Sequence, residues 1–481
     1  MRRGPLRMVT GSSLAVLLFV LVAFVAVPAS AQRRAIPQNI DVSTATGNEA
    51  EDAIVVNPTN PQNIVAMSTL ADVPSGLLEG VSFDGGQTWV RQVIGDGDEL
   101  GEICCDQQLA WDDYGNLWMV YLLNTNGNVP IALSTDGGIS FSKVAEIVPV
   151  KPKGKTPKGS GIKRLETAKR GVAEGDQPSI AVGPNSVWVS YTSYPAVVVQ
   201  ASGASVAGLG QFGPFSTPET VPTSFGRGNY GDTAVGPDDQ PMVIYQDSTA
   251  GQGGSRIYTT VDPDGFGPDG FMAPLFLAHS RVGGFDYIAA QPNRSVDAEA
   301  NLAWDRSGGP HTGRVYAIWT QEVKNESDNM DVMFQYSDDA GATWSSVATL
   351  NDDDTKNSQF NPAIALDQTS GAVAVSWYDA RDDGGEGGPG DTDGIPNDDV
   401  RIWATYSTDG GVSLAPNLRI SDGTSNVIAA DTYFDYGDYT HAAFHAGVFY
   451  PAWSDNSNST GNNPDGTLHQ LDLYTAVVSI P

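Results

Sequence analysis

An eight-residue turn recurs along the chain. SFDGGQTW (Ser82–Trp89), STDGGISF (Ser134–Phe141), SDDAGATW (Ser337–Trp344) and STDGGVSL (Ser407–Leu414) all keep serine first, an acid third, glycine fifth and a bulky apolar residue eighth. Aspartate and glycine supply the positive-φ positions of a tight connection between two strands. A turn that returns in this form belongs to a repeated structural unit, so the chain is read as an array of like modules.

A second pattern lies between the turns: an aliphatic strand, a brief turn and an aromatic-rich strand. It is clearest in LAWDDYGNLWMVYLL from Leu109, SIAVGPNSVWVSYTS from Ser179, NLAWDRSGGPHTGRVYAIWTQE from Asn301 and AIALDQTSGAVAVSWYDA from Ala363. Weaker copies are AIVVNPTNPQNIVAMST, TAVGPDDQPMVIYQD and AAFHAGVFYPAWSD, which brings the count to seven. Well-formed units continue with a loop, a third strand such as VRIWATYS, the recurrent turn and a fourth strand. Four antiparallel strands returning every roughly 50–80 residues predict an all-β propeller. The 54 glycines, 30 prolines and 17% charged residues fit short strands joined by turns rather than helices.

The recurrent turn resembles the Asp box of the sialidase superfamily, and the resemblance covers essentially the whole chain beyond its leader. It implies a β-propeller of four-stranded antiparallel blades with the box between strands three and four. Seven blades are preferred here; six, as in the sialidases, follow if one weak unit is misread. Asp boxes also occur in propellers of unrelated function, so they identify architecture more than chemistry. The last unit supplies only three strands, and a fourth drawn from Asn39–Val42 would close the ring.

Arg2, Arg3 and Arg7 precede the apolar run Leu14–Val27, which ends at Ala29-Ser30-Ala31. This predicts a secretory leader over residues 1–31, cleaved after Ala31, and a single propeller domain over 32–481. No other stretch approaches the about 18 apolar residues of a spanning helix. The expectation is a secreted protein: extracellular, periplasmic or cell-surface. The formal charge is −31, and loss of the leader arginines makes it more negative, which argues against nucleic acid or an anionic membrane as partner.

Loops that join strands two to three, and each blade to the next, share the face opposite the recurrent turns. Aligning the first strands puts Glu51, Asp106, Gln177, Tyr230, Glu299, Asn361 and Tyr439 at one equivalent position, a polar ring around the channel mouth. Such a ring either converges on a ligand or merely caps strand starts and binds channel water. The sialidase resemblance implies an arginine cluster for a substrate carboxylate, a tyrosine nucleophile with a glutamate partner, and an aspartate acid/base. Tyr439 or Tyr230 is then the nucleophile, Glu299 or Glu51 its partner, and Asp106 or Asp52 the acid. Arg227, Arg294 and Arg381 are the substrate-binding arginines, with Glu51, Gln177 and Asn361 beside them. The Arg-Ile-Pro motif of sialidases is absent, and RRAIP at Arg33–Pro37 is only a loose echo, so no motif places a catalytic residue.

Three further stretches stand out. Cys104 and Cys105, the only cysteines, directly precede Asp106 and form either a vicinal disulfide or a pair of buried thiols. The acidic loop 382–399, DDGGEGGPGDTDGIPNDD, spaces Asp391, Asp393 and Asp398 as calcium-binding aspartate loops do; a solvated loop is the alternative. The segment 143–171 holds nine of the 26 basic residues and reads as an extended, solvated insertion. Function follows in three versions: a sialidase-type glycoside hydrolase acting on an extracellular glycan or glycoconjugate, a non-catalytic glycan- or protein-binding propeller, or a calcium-stabilised envelope or matrix protein.

Overall fold

The computed structural model describes residues 1, 2, 4, 35–151, 173–247, 251–388, 390–430 and 432–481, apart from the side chain of Tyr230. Compact units fall at Met1–Ala35 and Ile36–Pro481. The leader lies almost wholly outside the described residues, as does most of the basic segment; its start, Ser142–Ile147, is a strand. No helix among the described residues is long and apolar enough to cross a membrane.

Ile36–Pro481 is a seven-bladed β-propeller. Blade 1 shows the plan: strands Glu49–Val56, Ile64–Leu70, Leu77–Ser82 and Val90–Ile94 pair antiparallel in chain order. The first strands of blades 2 to 7 are Gly101–Trp111, Glu174–Val182, Asn229–Val235, Asn301–Trp304, Gln359–Leu366 and Ala442–His445. Blade 7 is completed by Asn39–Asp41, which pairs with Asp472–Ala476, so the two ends of the chain meet in one sheet. Closure leaves no sheet edge between the first and last blades.

The four recurrent turns join third to fourth strands in blades 1, 2, 5 and 6, and one set of bonds explains their composition. Ser82 Oγ accepts Gly86 N–H at 2.9 Å and donates to Asp84 Oδ1 at 2.9 Å. Asp84 accepts the backbone amides of Gln87 and Thr88 and the Thr88 hydroxyl at 2.6 Å. These donors hold the Asp84 and Asp409 carboxyls down at about 2. The eighth residue reaches the preceding blade: Trp89 packs with Ala443 and Tyr450, Phe141 with Val65, Trp344 with Met242, and Leu414 with Phe334. At Gly138 (φ +89) a Cβ would stand 2.5 Å from Val65, so glycine is required by both dihedral and space. Each turn therefore clamps two blades. Ser82→Ala is expected to cost about 1–2 kcal/mol in urea denaturation, because the Gly86 amide loses its acceptor in a buried turn. An unchanged midpoint would remove the clamp from the account.

The core is built between blades. Second-strand aromatics Trp118, Trp319, Trp377 and Trp453 are fully buried. Trp377 and Trp453 donate their indole N–H to Asp379 and Asp455, each at the end of its own strand.

Candidate functional site

The first strands line the axis, and the ladder registers test the polar ring. Counting from the turn, Ala53 pairs Met67, Gln108 pairs Val120, Ser179 pairs Ser190, Asp232 pairs Ile244, Asn301 pairs Ile318, Ala363 pairs Ser376 and Ala442 pairs Pro451. The residues two positions earlier are Glu51, Asp106, Gln177, Tyr230, Glu299 and Asn361, which places these six as the sequence alignment does. In blade 7 the equivalent residue is Thr440. Tyr439 stands one position before it, a correction that follows from the short two-residue turn Ala446-Gly447 shifting the blade's alignment. Glu51, Asp106, Gln177, Glu299 and Asn361 all have left-handed backbone, with φ between 43° and 63°. Register breaks at these positions in blades 1, 2, 3, 4 and 6 mark β-bulges, which redirect side chains from the ladder. Non-glycine residues held there carry backbone strain, a pattern that clusters at functional sites.

Arg294, from the strand Gln291–Val296, reaches this ring from outside any blade. Its Nε donates to Asp438 Oδ1 at 2.6 Å, its Nη2 donates to Asp438 Oδ2, and Glu51 Oε1 lies 3.3 Å from Nη2. Phe434 packs on the guanidinium at 5.5 Å. Gln177 spans the ring: its backbone N–H donates to Asp106 Oδ2 at 2.9 Å and its amide to Asp438 Oδ2 at 3.3 Å. Asn361 donates to Gly437 O at 3.2 Å.

Carboxyls outnumber cations here, and burial raises Glu51, Asp106 and Glu299 alike. Burial raises Glu51, but Arg294 works against the shift. Burial and then Glu51 push Asp106 well above the usual carboxylate range, with Asp176 and Asp438 adding to it. Glu299 is pushed well up by burial and then by Asp297, Asp438, Asp232 and Glu51. The Tyr439 hydroxyl is buried without a hydrogen-bond partner, and burial followed by Asp106, Glu51 and Asp438 holds it well above the ordinary phenol range. His441, absent from the sequence reading, is T-stacked on Tyr439 at 5.5 Å and driven by burial to about 4, so it is neutral.

A cavity of about 30 Å³ sits among these groups, lined by Gln177, Asp232, Glu299, Asn301, Tyr439 and His441 among others. It admits about two waters and no sugar ring. Asp232, also missed in the sequence, accepts Ser179 Oγ at 2.6 Å and the amides of Thr233 and Leu302 at 2.7 and 2.8 Å. Its signal was present, two residues beyond Tyr230 in the aligned strands.

The three arginines do not share a partner. Arg381 is held by Asp379 and Asp352, donates to Asn417 and stacks over Trp403 at 4.2 Å. Arg227 is exposed. Asp52 accepts Ser68 and Ser454 hydroxyls and is a buried structural link between blades 1 and 7, raised by burial to about 7. Tyr230 lies on the first strand of blade 4. Cys104 and Cys105 are joined through sulfur and pack half-buried against the cluster between blades 2 and 3. In the acidic loop the carboxylates of Asp383, Asp391 and Asp399 form one group, of which the spacing names Asp391. The spacing argument selected neighbours in sequence, whereas the loop folds its two ends together.

No family model and no curated protein matches this chain. Among solved structures it is similar to an α-L-arabinanase from Penicillium chrysogenum complexed with arabinobiose, at 12% identity and TM-score 0.45, over 77% of this chain and 99% of that one. It is also similar to phage phi92 endosialidase, at 11% identity and TM-score 0.47, over 92% of this chain and 69% of that one. A protein of unknown function from Dyadobacter fermentans matches at 11% identity and TM-score 0.47, over 93% and 99% of the two chains. No residue role is carried over from them.

Proposed function

We propose that this chain is an exported carbohydrate-active propeller that hydrolyses a glycosidic bond at the mouth of its axial cavity. The observation that carries the reading is the pair Glu299 and Asp232 on one water-sized cavity, the first beside like charges and the second held by three donors. Burial and then the charges of Asp297, Asp438 and Asp232 push the Glu299 carboxyl well up; burial raises Asp232 as well, but Ser179 Oγ and the Thr233 and Leu302 amides donate to it and work against that shift, which makes Glu299 the proton donor and Asp232 the acceptor of the pair. Glu299 supplies the proton to the leaving oxygen; Asp232 accepts one from a cavity water. The sugar ring rests above Tyr439, since the cavity is too small to admit it. A glycan without a carboxylate suits this site, because Arg294 is already engaged and the surrounding groups are acidic.

A second reading keeps the sialidase chemistry. It is favoured by the electrostatic grouping of Tyr439 with Glu51, Asp106 and Arg294, and it makes Tyr439 the nucleophile. Turnover of a panel of fluorogenic neutral furanosides, neutral pyranosides and a sialoside by the purified chain separates them. Under the first reading neutral glycosides turn over, Glu299→Gln lowers turnover about 10²–10⁴-fold, and Tyr439→Phe is tolerated. Turnover confined to the sialoside and abolished in Tyr439→Phe supports the second. No turnover by a folded chain across the panel rejects both and leaves a glycan- or protein-binding propeller.

A further inference from the structure

The loop between the second and third strands of blade 6 gathers three carboxylates, from Asp383, Asp391 and Asp399, with one oxygen of each within 4.8 Å of the others. Among the described residues no cation is bonded to them: Arg401, the nearby base, is bonded to Asp382 and to Thr424 Oγ1. Backbone amides fix the three in place. Asp383 Oδ2 accepts Asp398 and Asp399 N–H at 2.9 and 3.0 Å, Asp391 Oδ1 accepts Gly394 N–H at 2.7 Å, and Asp399 Oδ1 accepts the Thr392 hydroxyl at 2.6 Å. With Gly385 N–H on Asp383, Gly387 and Asp393 N–H on Asp391, and Thr392 N–H and the Asn426 amide on Asp399, each carboxylate accepts three donors and keeps one of about four lone-pair sites.

A second observation is independent of the cluster. Asp398 is fully buried, and neither of its carboxylate oxygens meets a hydrogen-bond donor; the Oδ1 of Asn397 beside it is also buried and unpartnered. Asp398 directly precedes Asp399 and donates its backbone N–H to Asp383 Oδ2 at 2.9 Å, which sets it against the same group. The Asn426 amide donates to Asp399 Oδ1 at 2.9 Å. A buried carboxyl left without donor or cation is costly.

We propose that this loop binds one calcium ion, with Asp383, Asp391 and Asp399 as its carboxylate ligands and Asp398 completing the oxygen shell from the buried side. An all-oxygen shell on a glycine-rich loop suits calcium's large, irregular coordination better than the strict octahedron of magnesium. The ion ties the loop's two ends together at the base of the third strand, away from the axial acid/base pair, so the site stands whether or not the hydrolase reading does.

Isothermal titration of calcium chloride into the chelator-treated full chain tests it. One calcium per chain is expected, with a higher Tm on binding. Asp391→Asn, which keeps an acceptor oxygen for the loop amides, should weaken the affinity at least tenfold. Asp383→Asn/Asp399→Asn should abolish binding, while Asp393→Asn should change it less than twofold. Absence of heat and of any Tm shift in the folded chain overturns the proposal. So does unchanged binding in Asp391→Asn, which would put the ion elsewhere, or magnesium binding as tightly as calcium.

Discussion

Arg294→Met is expected to lower the unfolding free energy by about 3–5 kcal/mol at pH 7, the cost of removing one partner from a buried charge pair. Arg294 is 15% exposed and Glu51 fully buried, so water cannot take over the guanidinium's role for both carboxylates it serves. The strand Gln291–Val296 that carries Arg294 is held to the ring by the Asp435 carboxylate, which accepts the amides of Asn293 and Arg294 at 2.7 and 2.8 Å. Loss of the guanidinium therefore reaches both the axis and this strand. Adding Asp438→Asn should recover part of the deficit, a coupling that a double-mutant cycle in urea reads directly. The deficit should also shrink on acidification, because a carboxyl that takes a proton no longer needs the cation. A loss below about 1 kcal/mol would mean that the pair contributes no more than an exposed one.

The second large effect concerns ring closure and pH. Where the N-terminal strand completes blade 7, Asp41, Glu49 and Asp472 are all buried, and Ser43 Oγ donates to Asp472 Oδ1 at 2.9 Å. Both oxygens of Glu49 and one each of Asp41 and Asp472 accept no hydrogen bond. Burial and then Asp41 raise Asp472 to about 8; burial and then Asp472 raise Glu49 well above its ordinary value. Carboxyls with raised folded pKa values contribute stability that is complete below about pH 4 and is lost as pH rises toward 8. The slope is about 1.4 kcal/mol per pH unit for each proton released. Glu79, raised to about 8 mainly by burial, acts in the same sense. The turn aspartates act oppositely: Asp84 and Asp409, lowered to about 2, withdraw their contribution only as pH falls below about 4.

Maximum stability is therefore expected near about pH 4, where the two limbs meet. Asp472→Asn should flatten the alkaline limb and exceed the unsubstituted chain in guanidinium midpoint at pH 8. Parallel pH curves for the two proteins would remove the closure cluster as the cause.

The architecture was legible because its signals are local. Ser82, Asp84 and Gly86 bond within one turn, and the aliphatic-then-aromatic strand pairs need only a hairpin to meet. Even closure by Asn39–Asp41 could be read from a last unit one strand short. Chemistry at the axis was legible only as a list of positions. Six of the seven ring residues hold the common register, because local alignment of first strands suffices for them, whereas Tyr439 slipped by one where blade 7 has the shortest turn.

Which groups meet was decided by the tertiary structure. Arg294 and Glu51 are 243 residues apart, and Ser43 and Asp472 are 429 apart. Their encounters exist only because seven first strands converge and the chain ends share a sheet. The same convergence removed Arg381 from the ring and gave it to Asp379 and Trp403. It also brought Asp383 and Asp399 to Asp391. Hydrogen bonds of short loop length are encoded by neighbouring residues; protonation, ion pairing and cavity size depend on groups that burial brings together from across the chain.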